Sequence, residues 1–577
     1  MIRIQQLKLP VGHTQKDLEQ KIRRELHLKP EELISYEIRK RSVDARKKPE
    51  LFFSYVIDCK AVREEQIYKR TDHKKVVLTK EKPYRFPESG TVSMKHRPVI
   101  VGTGPAGLFC GLLLAGHGYE PILLERGADV DTRMKDVAAF WQTGRLNPQS
   151  NVQFGEGGAG TFSDGKLNTL VKDKDGRNRE VLRLFAAAGA DSSILYESKP
   201  HIGTDVLIKV VKNIRMEIEQ LGGSVRFGTE VTGYRTENGR LTGLVINNSE
   251  FLACDTAVFA IGHSARNTFE MLYESGIRME SKEFAAGFRV EHRQKDINLS
   301  QYGRENPAPL QAASYKVTAQ AANGRGVYSF CMCPGGYVVN ASSEPERLAV
   351  NGMSYSGRSG ENANSAVIVS VRKSDFASDH PLAGIAFQRK LEEAAYKAGG
   401  GNIPVQRLGE LRRAFAKRNG LIGEIEEAAK GHPEAAAKLP EAAHGAAVSV
   451  AEGERTAAEE PRPCMKGAWQ SADLSGILPR EMTEAFLDGM EQFSHMIKGF
   501  NDESVLVSAV ESRTSSPVRI LRDETFQSNI KGIYPCGEGA GYAGGITSAA
   551  MDGMRIAEAV AAEYAPRTGR KTDTETF

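Results

Sequence analysis

One stretch, PVIVGTGPAGLFCGLLLAGHGYEPILLERG, constrains the fold of this chain more than any other feature. Val99–Val101 is a short apolar run that predicts a buried strand. The spacing G-x-G-x-x-G follows at Gly102, Gly104 and Gly107. In this spacing the first glycine turns the chain, the second lets backbone amides approach a pyrophosphate, and the third lets a helix pack on the strand. The stretch therefore predicts a Rossmann-like dinucleotide fold, with a helix over Ala106–Gly116 aimed at the phosphates.

A second predicted strand, Pro121–Leu124, ends at Glu125, about 20 residues after the glycine turn. A carboxylate at that offset holds the ribose hydroxyls of a bound dinucleotide. A structural β-α-β unit without ligand is the alternative. The order strand, glycine turn, helix, strand and acidic residue favours dinucleotide binding, and it fits both NAD and FAD.

The tail of the chain, GIYPCGEGAGYAGGITSAAMDGMRIAEAV, favours FAD. It resembles the second flavin motif of flavoproteins with two dinucleotide-binding folds, in which an acidic residue after a glycine binds the ribitol chain. That residue is usually Asp and is Glu538 here, after Gly537. Gly544–Thr547 would bring helix-terminal amides to the pyrimidine edge of the ring. An unrelated joint between a strand and a helix is the alternative.

Four glycines within six residues, in NVQFGEGGAGTFSDGKL, predict a backbone that a planar ring or phosphate can approach closely. Phe154 and Phe162 flank the loop and favour a packed loop over a flexible surface one. Two weaker signals point the same way. Val231 occupies the position at which flavoproteins of this kind usually bind the adenine through a backbone amide. The apolar strand Thr256–Gly262 resembles the strand that returns beneath the adenosine in those proteins.

The motifs GEGGAGTFSDGKL, SKPHIGTD, GHSARNTFEML, YSFCMCPGG, ESRTSSPVRI and CGEGAGYAGGITSA are similar to a bacterial family of uncharacterised FAD-dependent dehydrogenases. That family is distantly similar to geranylgeranyl reductases and aromatic hydroxylases. The resemblance covers roughly residues 1–410 and 462–562. It implies bound FAD and an oxidoreductase, and it implies no particular substrate. The predicted cofactor-binding residues are Gly102, Gly104, Pro105, Ala106, Gly107, Glu125, Arg126, Gly157, Gly158, Ala159, Gly160, Thr161, Val231, Ala260, Gly262, Gly537, Glu538, Gly544, Gly545, Ile546 and Thr547.

The catalytic residues are not identified by the sequence, which offers four weak candidates. Cys331 and Cys333 form a C-x-C that could become a disulfide or donate a proton beside a flavin. They are equally explained as small core residues of one strand, with both side chains on the same face. His201 would titrate near neutral pH, and Arg513 would stabilise an anionic reduced flavin; each is more simply a structural residue. No cysteine and histidine spacing predicts a metal site.

The predicted architecture is α/β, a Rossmann-like FAD/NAD(P)-binding fold with an inserted β-rich α+β substrate domain and a small N-terminal α+β domain. Residues 1–95 form the small basic domain, of ferredoxin-like order, and residues 96–280 the first part of the FAD-binding domain. Residues 281–500 form the inserted cap, with an Ala/Glu-rich insertion at about 413–461. Residues 501–577 complete the FAD-binding domain.

Charge and composition narrow the function classes. Residues 1–97 carry 24 Lys and Arg against 14 Asp and Glu, a charge of +10, and the remainder carries −6. No nucleic-acid motif accompanies this charge, so we do not expect a nucleic-acid partner. No apolar run reaches the roughly 20 residues of a membrane span. Seven scattered cysteines and an N-terminus without a signal peptide predict the cytoplasm.

The predicted function is an FAD-dependent oxidoreductase that acts on a small organic molecule. Only one complete nucleotide fingerprint is present, so NADH or NADPH would dock transiently, or a protein would deliver electrons. A flavin monooxygenase is one alternative. Another is a flavoprotein with structural or sensory FAD whose basic front domain binds RNA or another anionic partner.

Overall fold

The structure is a computed structural model that describes residues 1–80, 82–421 and 461–567. Most of the Ala/Glu-rich insertion predicted at 413–461 lies outside the described residues. Three units follow one another: a small antiparallel domain, a domain built on a parallel sheet, and a cap domain inserted into the second.

The N-terminal domain has the ferredoxin-like order that its sequence predicts. Its elements are β1 (Ile2–Pro10), α1 (Gln15–Glu25), β2 (Leu33–Lys47), β3 (Glu50–Ala61), α2 (Glu64–Tyr68) and β4 (Val76–Leu78). The sheet order is β2-β3-β1-β4, with antiparallel neighbours. Thr14 caps α1 through a reciprocal bond with Asp17, and Leu18, Ile22 and Leu26 bury the apolar face of the helix segment.

The long β2–β3 hairpin joins this domain to the next. The Arg41 amide donates to the Tyr196 carbonyl at 2.7 Å, and the Ser198 amide donates to the Arg41 carbonyl at 2.8 Å. The segment that follows the domain also packs on the second domain, because the Gly90 amide donates to the Ala561 carbonyl at 2.7 Å. The backbone of this segment is thus hydrogen-bonded to the last helical segment of the second domain.

The parallel-sheet domain begins with the predicted glycine motif. Its first elements are β5 (Val99–Val101), α3 (Pro105–Gly116), β6 (Ile122–Leu124), α4 (Val130–Thr143), α5 (Arg177–Ala187), α6 (Thr204–Gln220), β7 (Ser224–Arg226), β8 (Val231–Glu237), β9 (Arg240–Ile246), β10 (Glu250–Ala253), β11 (Ala257–Phe259) and α7 (Arg266–Glu274). Helix α3 starts one residue earlier than predicted, because proline suits the first helical position.

The cap domain follows. Its elements are β12 (Met279–Ser281), β13 (Phe284–Arg293), α8 (Gln294–Tyr302), β14 (Thr318–Gln320), β15 (Gly326–Cys333), β16 (Tyr337–Asn340), β17 (Val350–Met353), β18 (Asn362–Val371), α9 (Ala383–Ala398), β19 (Ile403–Arg407), α10 (Leu408–Arg418), β20 (Met465–Lys466), β21 (Trp469–Ser471), α11 (Arg480–Ser494), β22 (Leu506–Glu511) and β23 (Val518–Ile520). Its main sheet has the order β14-β15-β18-β13-β22-β19-β21. Phe288 of β13 packs edge-on against Phe486 of α11, with ring centroids 5.0 Å apart.

The chain then returns to the parallel sheet through β24 (Ile533–Pro535) and α12 (Ile546–Glu563). That sheet has the order β24-β11-β5-β6-β7. One predicted boundary needs correction. We placed the end of the cap at residue 500, but β22 pairs with β13 and β19, so residues 506–511 belong to the cap sheet. The sequence of an apolar strand does not show to which of two adjoining domains the strand belongs. Only the strands with which it pairs assign it to one of them.

Candidate functional site

Four parallel strands end at one edge of the sheet, where the carboxyl ends of such strands form a ligand crevice. Gly102 follows β5 and Glu125 follows β6. Ala260 follows β11, and the loop that starts at Cys536 follows β24. Because β5 lies between β6 and β11, and β24 lies beside β11, all four strand ends are neighbours. The predicted cofactor residues from both ends of the chain therefore meet at one place.

The glycine turns pack against one another. A Cβ added to Gly158 would lie 3.1 Å from the Cα of Gly104, and one added to Gly537 would lie 2.7 Å from the Cβ of Ala106. A Cβ on Gly160 would lie 3.1 Å from Ile546. Side chains at these glycines would push the loops apart. The loop at 151–167 is packed, as predicted, since Phe154 and Phe162 are buried.

The residues present fit a dinucleotide with a flavin ring. Gly104 and Gly545 are the N-cap residues of α3 and α12, and no side chain among the described residues caps either first turn. Their amides are free to bind phosphate or a polar ring edge. Cβ atoms added to Gly262, Gly544 and Gly545 would meet no atom within 4 Å, so open space adjoins these positions. Uncapped helix ends beside open space form a suitable cradle.

Glu125 is buried and accepts four hydrogen bonds from the protein. Its Oε2 accepts from the amide and the hydroxyl of Thr103, at 3.0 and 2.8 Å. Its Oε1 accepts from the amides of Gly127 and Gly155, both at 3.0 Å. The residue predicted to hold a ribose thus also ties the glycine loop at 155–160 to the turn after β5. A ribose hydroxyl would share or replace one of these donors.

Three further predicted cofactor-binding residues lie in the same domain. The Arg126 guanidinium lies over the Phe154 ring, 4.3 Å from its centroid, and burial lowers its pKa. Thr161 is buried, and Val231 is buried at the start of β8.

At the other end of the groove, the start of α12 is fixed to the glycine loop. The Thr547 hydroxyl donates to the Leu167 carbonyl at 2.8 Å. The Leu167 amide in turn donates to the Pro200 carbonyl at 2.9 Å. These two hydrogen bonds place residues 163–167 and residues 198–205 (SKPHIGTD) next to the end of α12 that is predicted to face the flavin ring.

Glu538, predicted to bind ribitol, lies at the junction of the two domains. Burial raises its pKa to about 7, opposed by the positive charge of Lys282. The Nε2 of His263 lies 3.8 Å from Oε1 of Glu538. Burial, with repulsion from Arg513, lowers the pKa of His263 to about 3, so this imidazole is neutral at pH 7. A carboxyl group that exchanges its proton near neutral pH therefore adjoins a neutral histidine.

Arg513 is held by an ion-pair cluster between the domains. Its Nε and Nη2 each lie 2.8 Å from Glu392, and Arg266 pairs with the same carboxylate at 2.7 Å. The two arginines keep the pKa of Glu392 well below its usual range, despite burial. Arg513 also donates to Ser264 at 3.2 Å. The structure thus gives this guanidinium partners that hold α7, α9 and the end of β22 together, and its catalytic role stays a prediction.

Cys331 and Cys333 do not share a face of β15. A β-bulge between Phe330 and Cys333 breaks the two-residue alternation, and Cys331 has a positive φ of 42°. Cys331 is exposed and Cys333 is buried. The Cys333 thiol donates to the Cys331 carbonyl at 3.1 Å. The expectation that both side chains face one way is therefore wrong, and burial raises the pKa of Cys331 to about 12.

His201 lies beside three cations, and we call these four residues the cationic corner: Lys166, Lys199, His201 and Arg358. Lys166 pairs with His201 through an isolated antiparallel β-bridge, and its ammonium donates to the Met332 carbonyl between the two cysteines. His201 Nε2 lies 3.3 Å from the Ser356 carbonyl. Burial, with repulsion from Arg358, lowers the His201 pKa. The corner joins the parallel-sheet domain to the cap.

Sequence reasoning missed several residues of this region. His263 and Lys166 stand inside motifs that carried the family resemblance, GHSARNTFEML and GEGGAGTFSDGKL, so a signal for them existed. Glu392 had none, because it lies in an ordinary helical segment whose partners are more than 100 residues away.

Comparisons with known proteins agree with the predicted cofactor. Residues 283–431 and 421–514 match a family model described as "FAD-dependent protein, C-terminal domain-like". Residues 1–60 match a domain of unknown function. An uncharacterised protein of Clostridium beijerinckii is 42% identical over 568 residues, which cover 98% of this chain and 99% of that protein.

Solved structures also show similarity. CtdE in complex with FAD is 11% identical with a TM-score of 0.29, covering 80% of this chain and 82% of that chain. Glycine oxidase from Bacillus cereus is 11% identical with a TM-score of 0.27, covering 82% and 99% of the two chains. These TM-scores are low, so the fold assignment rests on the strand order of the chain itself. No helix of the described ranges is long and apolar enough to cross a bilayer.

Proposed function

Since the chain belongs to the protein family of the uncharacterised Clostridium beijerinckii protein, we propose that its members are FAD-dependent oxidoreductases. The proposed reaction moves hydride or electrons between bound flavin and a small organic substrate. One observation carries the proposal: glycine turns more than 400 residues apart pack together at the carboxyl edge of one parallel sheet.

The chain supplies position and electrostatics, and bound flavin supplies the hydride or electron chemistry. The uncapped amides at the start of α3 bind the pyrophosphate, and Glu125 orders the turn beside the ribose. The uncapped start of α12 places positive partial charge at the ring end of the groove, where it favours an electron-rich ring.

The electron donor is part of the proposal. One complete dinucleotide fingerprint, in which a strand, a G-x-G-x-x-G turn, a helix, a second strand and an acidic residue follow in order, is present in the sequence at Val99–Glu125, and it serves FAD. NADH, NADPH or a donor protein would therefore dock transiently at the exposed side of the groove. Anaerobic reduction of the yellow protein with NADH, NADPH and a set of reduced organic donors identifies the donor by the loss of flavin absorbance.

The flavin site itself is tested by filling the groove. Gly545 has an extended φ of 164°, and an added Cβ meets nothing within 4 Å, so Gly545→Leu is compatible with the fold. We expect this side chain to occupy the cradle and to abolish FAD retention after gel filtration. Gly12→Leu is the matched control, since Gly12 also has open space around it and lies in the N-terminal domain. Colourless wild-type protein that refuses added FAD would refute the proposal.

The alternative that the front domain binds RNA gains no support from its charged residues. Arg3 and Arg39 both bind Asp58, at 2.6 and 2.5 Å, and Arg41 binds Glu197 of the next domain. These three arginines are thus used in ion pairs within the chain.

A further inference from the structure

The cationic corner holds more positive than negative charge. Among the residues that the structure describes, Asp164 is the one carboxylate within ion-pair distance of Lys166, Lys199 or Arg358. It binds the Arg358 guanidinium through both oxygens and lies 3.1 Å from the Lys166 ammonium. The nearby carboxylate of Asp205 is occupied by the amide and hydroxyl of Ser356. One negative charge therefore faces three cations.

Lys199 and His201 both show the electrostatic cost of this arrangement. The Lys199 ammonium has a hydroxyl partner, Ser314 Oγ at 3.1 Å. Burial, with repulsion from Arg358 and Lys166, lowers the pKa of Lys199. The same cations help to keep His201 neutral. A concentration of like charge in a partly buried place is relieved by an anion that binds there.

The corner adjoins the groove and is open to solvent. Lys166 directly precedes Leu167, whose carbonyl accepts the Thr547 hydroxyl at the start of α12. Lys199 and Cys331 are both exposed, so a molecule from solution can reach the corner. Beside Cys331, the half-buried rings of Tyr328 and Phe330 pack with a small apolar cluster on the cap sheet. Apolar surface thus lies on β15, the strand that carries Cys331.

From these contacts we propose that the cationic corner binds the anionic group of the substrate, and that the substrate is an organic anion with an apolar body. The anionic group is a carboxylate or a phosphate monoester. This inference rests on the proposed flavin site, because the corner lies beside the end of the groove assigned to the ring. Lys199 and Lys166 contact the anion directly, and Arg358 stays paired with Asp164.

The test measures binding of benzoate, phenyl phosphate and the neutral analogue benzamide to the FAD-loaded full chain. Calorimetry gives the Kd, and the flavin absorption spectrum reports whether the ligand lies beside the ring. Lys199→Gln removes the exposed cation. Lys166→Gln removes the second, and Lys174→Gln, on the exposed segment before α5, is the matched control. Comparison of benzoate with phenyl phosphate distinguishes the two anionic groups.

We expect at least one anion to bind and to perturb the flavin spectrum, with about tenfold weaker binding in Lys199→Gln and unchanged binding in Lys174→Gln. Equal binding of benzamide and the anions would overturn the inference, and so would an unchanged Kd in both Lys199→Gln and Lys166→Gln. Complete absence of anion binding by an FAD-containing protein would also overturn it while leaving the proposed function intact. Failure to bind FAD at all would instead refute the proposed function.

Discussion

The Gly155 amide donates to Oε1 of Glu125 at 3.0 Å, and this bond joins the glycine loop to the strand end beside it. The same carboxylate holds the turn after β5 through Thr103. Loops that are far apart in sequence are therefore ordered by one buried side chain. Predictions about FAD binding follow from these two loops.

Gly158→Ala should weaken FAD binding strongly. Gly158 has a φ of 63°, and an added Cβ would lie 3.1 Å from the Gly104 Cα, so the two loops must separate. Gly144→Ala is the matched control, with a φ of 72° and nothing within 4 Å of its Cβ. Both variants incur about 1 kcal/mol of backbone cost. Fluorescence titration with FAD should show a larger Kd for Gly158→Ala and an unchanged Kd for Gly144→Ala. Equal Kd values for the two variants would contradict the packing argument.

Glu125→Gln should reduce both stability and FAD affinity. An amide NH₂ cannot accept the bonds that one carboxylate oxygen receives, so buried amides of Thr103, Gly127 or Gly155 lose their acceptor. Each buried donor left unsatisfied costs about 1–3 kcal/mol. Urea unfolding of the apoprotein measures the loss. Glu217→Gln, on an exposed position of α6, is the control and should match the wild type.

The sequence predicts the nucleotide fold well because its signals are local. The spacing of Gly102, Gly104 and Gly107 fixes a strand, a turn and a helix within a short segment, and the structure has all three. The bulge at Cys331 and the pairing of Glu392 depend on distant strands and helices. The pattern of apolar and polar residues along the sequence does not reveal the bulge or the ion pair, since the partner residues of both lie far along the chain.

Glu392→Gln should destabilise the junction between the two larger domains. Glu392 is fully buried between Arg266 and Arg513, and removing one partner of a buried ion pair costs about 3–5 kcal/mol. Its pKa is lowered in the folded state, so its stabilisation is complete above the unfolded pKa and is lost as the pH falls towards the folded value. Urea midpoints should separate the variant from the wild type at pH 7 and converge below pH ~4. A difference in urea midpoint that stays the same at both pH values would contradict the argument. Glu393→Gln, at the neighbouring position, is the control.

The two cysteines should differ in reactivity. Cys331 is exposed and Cys333 is buried, so maleimide should label Cys331 first. Although the residue is exposed, the protein atoms around its thiol desolvate the thiolate and raise the pKa of Cys331 to about 12, so the thiolate fraction is small at pH 7 and labelling should accelerate with pH. Peptide mass mapping identifies the labelled residue. We expect Cys331→Ser and Cys333→Ser to leave flavin reduction unchanged, and a slowed half-reaction in either variant would instead assign the pair a redox or proton-transfer role.

Glu538→Gln should stabilise the apoprotein at alkaline pH. Burial raises the folded pKa of Glu538 to about 7, and the unfolded value is about 4.3. The folded state therefore holds a proton that the unfolded state has released, and wild-type stability falls as the pH rises from the lower value to the higher. With 24% of the side chain exposed, we expect a gain of about 1–3 kcal/mol at pH 8 and none near pH 4. Urea unfolding of apoprotein at both pH values measures this gain, with the exposed Glu524→Gln as control. A gain of equal size at both values would show that removal of the carboxylate acts through packing, and that Glu538 does not exchange a proton near neutral pH.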